Sequence, residues 1–155
     1  MKRFSQIIAE TLPLIRELFP WDVESLMETE PELLLLDVRE RNEFETLHIR
    51  GSLNIPRGIL ETACEYGYEE TEPQLASARE REIVVICRSG NRSALAALSM
   101  QVLGYQKVSS LKTGLKGWTD AELPLIDGGG NPVSVDDAED YSIPRLSPEQ
   151  LPPKD

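Results

Sequence analysis

Two apolar runs that do not alternate with polar residues constrain this chain most: Leu33-Leu34-Leu35-Leu36-Asp37-Val38 and Ile83-Val84-Val85-Ile86-Cys87. Successive side chains of a strand point to opposite faces, so a strand with one wet face alternates apolar and polar residues. Runs without alternation need cover on both sides, which is the setting of a parallel sheet between helices. Lys107 to Leu111 is a weaker third strand and Ser52 to Ile55 a short fourth.

Helical patterns separate these strands. Phe4, Ile7, Ile8, Leu12, Ile15, Leu18 and Phe19 recur at helical spacing over residues 4–19, with a kink or break at Pro13. A short helix with Asp22 as N-cap runs through Val23, Leu26 and Met27 and stops before Pro31. Further helices are predicted over 40–47, in parts of 58–79, and from Arg92 through Leu103, where Gly104 marks the stop. Strands alternating with helices predict an α/β fold with a parallel sheet wrapped by helices. From Asp127 onward Gly128-Gly129-Gly130 and five prolines among acidic residues read as a tail, or as an extended strap pinned by Val133, Val135, Tyr141, Ile143 and Leu146.

The length of 155 residues predicts one domain, and 40% hydrophobic with 28% charged residues excludes disorder along the whole chain. With 16 Lys plus Arg against 27 Asp plus Glu the net charge is −11, which argues against nucleic acid or an acidic membrane surface as partner. No apolar stretch approaches the roughly 20 residues of a membrane span. Cys64 and Cys87 are too few for a disulfide scaffold and lack the clustering of a metal site, so a reducing compartment is expected. Glu10, Pro13 and Arg16 interrupt what would be a signal peptide, and the expected location is the cytoplasm. Charge is unevenly spread. Residues 83–119 hold no Asp or Glu but carry Arg88, Arg92, Lys107, Lys112 and Lys116, a segment that would attract an anion or form a docking face.

The stretch with chemistry in it is Cys87-Arg88-Ser89-Gly90-Asn91-Arg92-Ser93, which joins the most apolar strand to a good helix. Ligands of open parallel sheets bind beyond the carboxyl ends of strands, and Cys87 stands there. Gly90 allows tight curvature, so that successive N–H groups converge as an anion-binding nest. The following helix adds free N–H groups and its positive dipole end, and two arginines add full charges. All four effects favour the thiolate, the nucleophilic form of cysteine. An inert core thiol is a poor match to two arginines within five residues. Cys64, between Ala63 and Glu65 in a predicted helix, has none of these features and reads as a buried structural thiol.

Residues 87–92 resemble the active-site loop of rhodanese-like sulfurtransferases. Leu36-Asp37-Val38-Arg39-Glu40, with Glu43-Phe44, His48-Ile49, Gly51-Ser52 and Asn54-Ile55-Pro56, is similar to that family's N-terminal signature. Gly114-Leu115-Lys116-Gly117-Trp118, running to Leu123-Pro124, is similar to its C-terminal one. The three motifs occur in order across about residues 22–126. Thr113 departs from the pattern, standing where the family commonly has the first glycine of a Gly-Gly pair, outside the catalytic loop. The resemblance implies a three-layer α/β/α domain at 21–126 with a central parallel sheet of about five strands. Residues 1–20 would then be a helical extension and 127–155 the acidic tail.

The resemblance also implies a reaction. Cys87 would attack the outer sulfur of a small anionic donor such as thiosulfate, form a persulfide, and pass that sulfur to a thiol or a protein acceptor. No metal or organic cofactor is required. Arg88, Ser89, Gly90, Asn91, Arg92 and Ser93 would cradle the substrate, and Asp37 and Arg39 would support the site as an ion pair or cap. His48, the only histidine, is expected to be structural, since thiolate attack on sulfur abstracts no proton. Four residues separate Cys87 from Arg92, where related dual-specificity phosphatases have five, and the shorter loop suits a sulfur atom better than a phosphoryl group. Two alternatives remain at this point. One is a sulfur-relay module acting on a protein partner through Lys107, Lys112 and Lys116, and the other is a phosphatase-like or arsenate-handling enzyme.

Overall fold

In the computed structural model, which describes residues 1–154, the two apolar runs lie side by side as β2 (Leu34–Asp37) and β4 (Glu82–Ile86). They pair in parallel with Leu34 opposite Ile83 and Asp37 opposite Ile86. Two further strands fall close to their predicted places: β3 (Leu53–Asn54) and β5 (Lys107–Leu111). The fifth is β1 (Arg16–Leu18), and the all-parallel sheet has the order β1-β5-β4-β2-β3.

Both faces of the sheet are covered, as the missing alternation requires. Leu34, Leu36, Ile83, Val85 and Cys87 point to one side, into a core with Leu60, Leu75, Ala97 and Met100. These come from α4 (Leu60–Ala63), α5 (Pro73–Ala76) and α6 (Asn91–Val102). Leu35, Val84 and Ile86 point to the other, with Val23, Leu115 and Trp118 from α2 (Pro20–Thr29) and α7 (Gly114–Asp120). The short α3 (Arg41–Thr46) follows β2. Among the described residues no helix is long and apolar enough to cross a membrane.

Three readings of the sequence are corrected. The helical pattern over 4–19 does break at Pro13, in a 3₁₀ turn after α1 (Phe4–Thr11), but beyond the break it continues as the edge strand β1 and not as helix. Arg16 and Glu17 gave this strand no apolar signature; it is held by its backbone pairing to Ser109 and Ser110. Charge on an edge strand also discourages pairing with other chains. Next, Asp22 is not the N-cap of α2 but its third residue. Phe19 is the cap, Pro20 takes the first position, and the Asp22 carboxylate accepts the Phe19 N–H at 3.1 Å.

Finally, residues 127–142 are not an extended strap. After β6 (Leu125–Ile126) the chain turns on Asp127, whose Oδ1 accepts the N–H groups of Gly129 and Asn131, into the antiparallel β7 (Pro132–Val133). Ser134 then caps α8 (Val135–Ser142) by accepting the Asp137 N–H at 3.1 Å. Of the proposed anchors Val133 and Tyr141 do pack on the core, while Ile143 and Leu146 are exposed; buried Ala138 supplies the remaining contact.

Beyond β2 the chain buries a charge pair. Arg39 donates to both Asp37 carboxylate oxygens at 2.8–3.2 Å, and both residues are at most 1% exposed. Replacing Arg39 by Leu leaves Asp37 uncompensated and is expected to cost about 3–5 kcal/mol, read from urea unfolding. A loss under about 1 kcal/mol would mean that water relieves the carboxylate.

Candidate active site

Cys87 follows β4 directly and Gly90 caps α6, so the intervening loop must reverse within three residues. Gly90 makes this possible with φ 92°, a region that costs L side chains energy. The loop closes around the sulfur. Cys87 Sγ accepts the N–H of Gly90 at 3.1 Å and that of Ser93 at 3.3 Å, and lies 3.2 Å from Ser93 Oγ. It occupies the position of an N-cap acceptor, drawing on the otherwise unpaired amides of the first turn of α6.

The loop is held from outside by the segment between β5 and α7. Leu115 N–H donates to Cys87 O at 2.9 Å and Lys116 N–H to Arg88 O at 3.0 Å. So close an approach requires Gly114, where a Cβ would stand 2.5 Å from Cys87 O and 2.6 Å from Arg88 C. Thr113, outside the loop in sequence, packs against it in space: its backbone N would be 3.1 Å from a Cβ at Gly90. Thr113 itself has φ 62°, a costly conformation for a β-branched residue.

The predicted cradle residues divide. Gly90 and Ser93 bond the sulfur. Arg92 instead donates to both Glu43 carboxylate oxygens, at 2.8 and 2.9 Å, and Arg88 donates to Ser142 O at the end of α8, at 3.0 Å. Ser89 is exposed and Asn91 opens α6 half-buried. Asp37 and Arg39 form the expected ion pair, and Arg39 also reaches Glu43 O and Leu47 O, so the pair fixes the helix that carries Glu43. His48 is a packing residue, stacked on Phe44 with Nδ1 2.7 Å from Phe44 O.

Two residues near the site had no role assigned from sequence. Glu43 sat inside a quoted motif, but only the folded chain reveals that Arg92 is its partner. Ser110, 2.7 Å from Ser93 Oγ, lies in a weak strand pattern that carried no signal. The basic segment does not form one face. Lys107 opens β5 beside Glu82, while Lys112, beyond its other end, covers the ring of Phe19 at 4.7 Å. Four residues of strand separate them, about 16 Å.

Cys64 is buried beside Tyr105, and burial pushes its thiol up from the usual range. Glu43 shifts down, first because the Arg92 guanidinium bonds its carboxylate, and Arg92 rises for the same reason.

A model of the rhodanese-like domain matches residues 20–121. The chain belongs to the rhodanese-like domain family. It is 36% identical over 93 residues to the putative sulfur carrier protein YrkF of Bacillus subtilis, covering 60% of this chain and 45% of that one. To a putative mitochondrial thiosulfate sulfurtransferase of Schizosaccharomyces pombe it is 34% identical over 90 residues, 56% of this chain and 63% of the relative. It thus spans less than two thirds of these rhodanese relatives. Among solved structures, a Rhodopseudomonas palustris protein of unknown function, described as a possible tyrosine phosphatase, superposes with TM-score 0.73 at 27% identity, over 80% of this chain and 94% of that one.

The lowered carboxyl of Glu43 means that its bond to Arg92 stabilises the fold fully above the usual value near 4.5 and is lost as pH falls through the lower folded value. Glu43→Gln is therefore expected to lower stability at pH 7 by about 1 kcal/mol, with the difference closing as pH falls below the usual carboxylate value, measured by urea unfolding across that range. A difference independent of pH would rule out the ion pair as its source. Thr113→Gly, which relieves the positive φ, is expected to raise stability by about 1 kcal/mol in the same assay. A loss would show that the Thr113 side chain contributes more than its strain costs.

Proposed function

We propose that this protein is a sulfurtransferase in which Cys87 carries the sulfur. The observation that supports this reading best is the sulfur atom itself, placed at the first turn of α6 with two backbone N–H groups aimed at it. Such donors stabilise a thiolate and, after sulfur uptake, a persulfide anion at the same spot.

In the proposed reaction the Cys87 thiolate attacks the outer sulfur of thiosulfate. A bond forms between the two sulfurs, the sulfur–sulfur bond of thiosulfate breaks, and its electron pair leaves with sulfite. A second nucleophile then takes the outer sulfur and returns Cys87 to the thiolate. Neither step abstracts a proton from carbon or oxygen, consistent with a site whose only histidine is occupied in packing. Four residues between Cys87 and Arg92 favour sulfur over phosphoryl chemistry for this chain.

A second reading, transfer to a protein partner, is favoured by one surface feature and by the similarity to a putative sulfur carrier. Phe19 and Trp21 are exposed and stacked, with centroids 4.7 Å apart, and Lys112 lies over Phe19. Docking would use this rim with Lys116, and Lys107 would stand outside it.

Intact mass after brief incubation with thiosulfate tests the proposal. The native protein and Cys64→Ser are expected to gain one sulfur, about 32 Da, and Cys87→Ser is expected to gain none. Absence of the adduct in the native protein would remove thiosulfate as donor; an adduct persisting in Cys87→Ser would remove Cys87 as carrier.

A further inference from the structure

The hydrogen-bond chain around Cys87 runs deeper than the loop. Ser93 Oγ, 3.2 Å from Cys87 Sγ, is also 2.7 Å from Ser110 Oγ, and both serines are fully buried. Ser93 belongs to the first turn of α6 and Ser110 to β5, on which α6 packs. Ser110 stands opposite Val85 in the register of β4 and β5, so its side chain shares a face with Val85 and with Cys87 two residues on. A buried hydroxyl in this apolar setting needs a partner, and among the described residues Ser110 Oγ bonds only Ser93.

The direction of the chain follows from counting hydrogens, of which each hydroxyl has one to donate. With Cys87 as a neutral thiol, three hydrogens compete for the two contacts that link sulfur, Ser93 and Ser110. Whichever way the chain runs, one of them finds no acceptor within it, and a buried donor left unpaired is the costly case. With Cys87 as a thiolate, two hydrogens serve two contacts. Ser93 must then donate to the sulfur, and its oxygen accepts from Ser110.

We propose that Ser110 is a positioning residue for Cys87, directing the Ser93 hydroxyl at the sulfur whenever the sulfur is an anion. The inference deepens the sulfur-transfer reading and rests on it for its use in turnover. In that cycle the Cys87 sulfur is an anion before it attacks the donor. It is one again after the acceptor has bonded the outer sulfur, when the electron pair of the broken sulfur–sulfur bond returns to Cys87 Sγ. At both points the N–H groups of Gly90 and Ser93 supply two donors and the hydroxyl chain a third. Ser110 touches no reacting atom and acts through Ser93 alone.

The neighbouring Ser109 supplies a control: it is buried in the same strand, faces the other side of the sheet and bonds none of these groups. The test is a titration of Cys87 in the full-length protein, read as the ultraviolet absorbance of its thiolate after subtracting the profile of the matching Cys87→Ser protein. In Ser110→Ala the midpoint is expected to move up by about half a pH unit or more, which is about a threefold loss in the ratio of thiolate to thiol, while Ser109→Ala follows the native protein. The charged groups around the loop, Arg88, Arg92 with Glu43, Asp37 with Arg39, and Lys116, are the same in all of these proteins, so the shift reports the hydroxyl. Superimposable profiles for the native protein and Ser110→Ala would overturn the proposal. An equal shift in Ser109→Ala would overturn it too, by assigning the effect to the strand. The titration needs no sulfur donor. A native protein that takes up no sulfur from thiosulfate yet shows the shift would therefore bring down thiosulfate transfer and leave the Ser110 assignment standing.

Discussion

Burial of the central strands on both faces is the constraint from which the rest follows. β2 and β4 have no side that tolerates water, so helices must close both layers, and the parallel connections this demands bring every strand's carboxyl end to one edge. A residue buried in such a sheet reaches solvent only where its strand ends. Cys87 is the last inward-facing member of the β4 series, at 1% exposure, and its sulfur meets the next helix rather than water. Cys87 is thus a core residue placed one step past the core.

A second set of interactions ties the acidic half of the edge to the loop. Asp37 at the end of β2 holds Arg39, Arg39 bonds the carbonyls of Glu43 and Leu47, and the Glu43 carboxylate holds Arg92. The first link is fully buried and geometrically firm. The last is half-buried and screened more easily. The connection therefore runs from rigid sheet to adjustable loop, and it holds the Arg92 guanidinium in place through Glu43.

What the sequence made legible was whatever leaves a local trace. The two-sided strands, α6 with its glycine stop, and the cysteine loop each occupy a contiguous stretch with its own periodicity or turn chemistry. β1 left none, because three residues held by backbone pairing have no side-chain pattern and Ile15, Leu18 and Phe19 happened to continue the spacing of α1. α8 was masked by the glycines and prolines before it and by its acidity, since buried Ala138 and the half-buried Tyr141 suffice to seat it. The Glu43–Arg92 and Arg88–Ser142 bonds span 49 and 54 residues, and no local signal encodes such partners. The dependence of the loop on Gly114 was half legible: the motif was present, but the 2.5 Å approach that explains it exists only in three dimensions.

The distribution of charge departs most from the expectation of two arginines converging on the sulfur, and the departure has a chemical logic. A cation placed on a thiolate stabilises it but also dulls its attack, since nucleophilicity falls along with basicity. Here the sulfur is held by the amides of Gly90 and Ser93 rather than by a side-chain cation. The guanidinium groups stand one layer out, each already satisfied by a carboxylate or a carbonyl. Their charges add to the local potential without bonding the sulfur. Arg88 is in addition bonded to the end of α8, so this helix contacts the residue next to Cys87 while shaping a cavity beside it. A segment that composition marked as a tail thus forms one wall of the site.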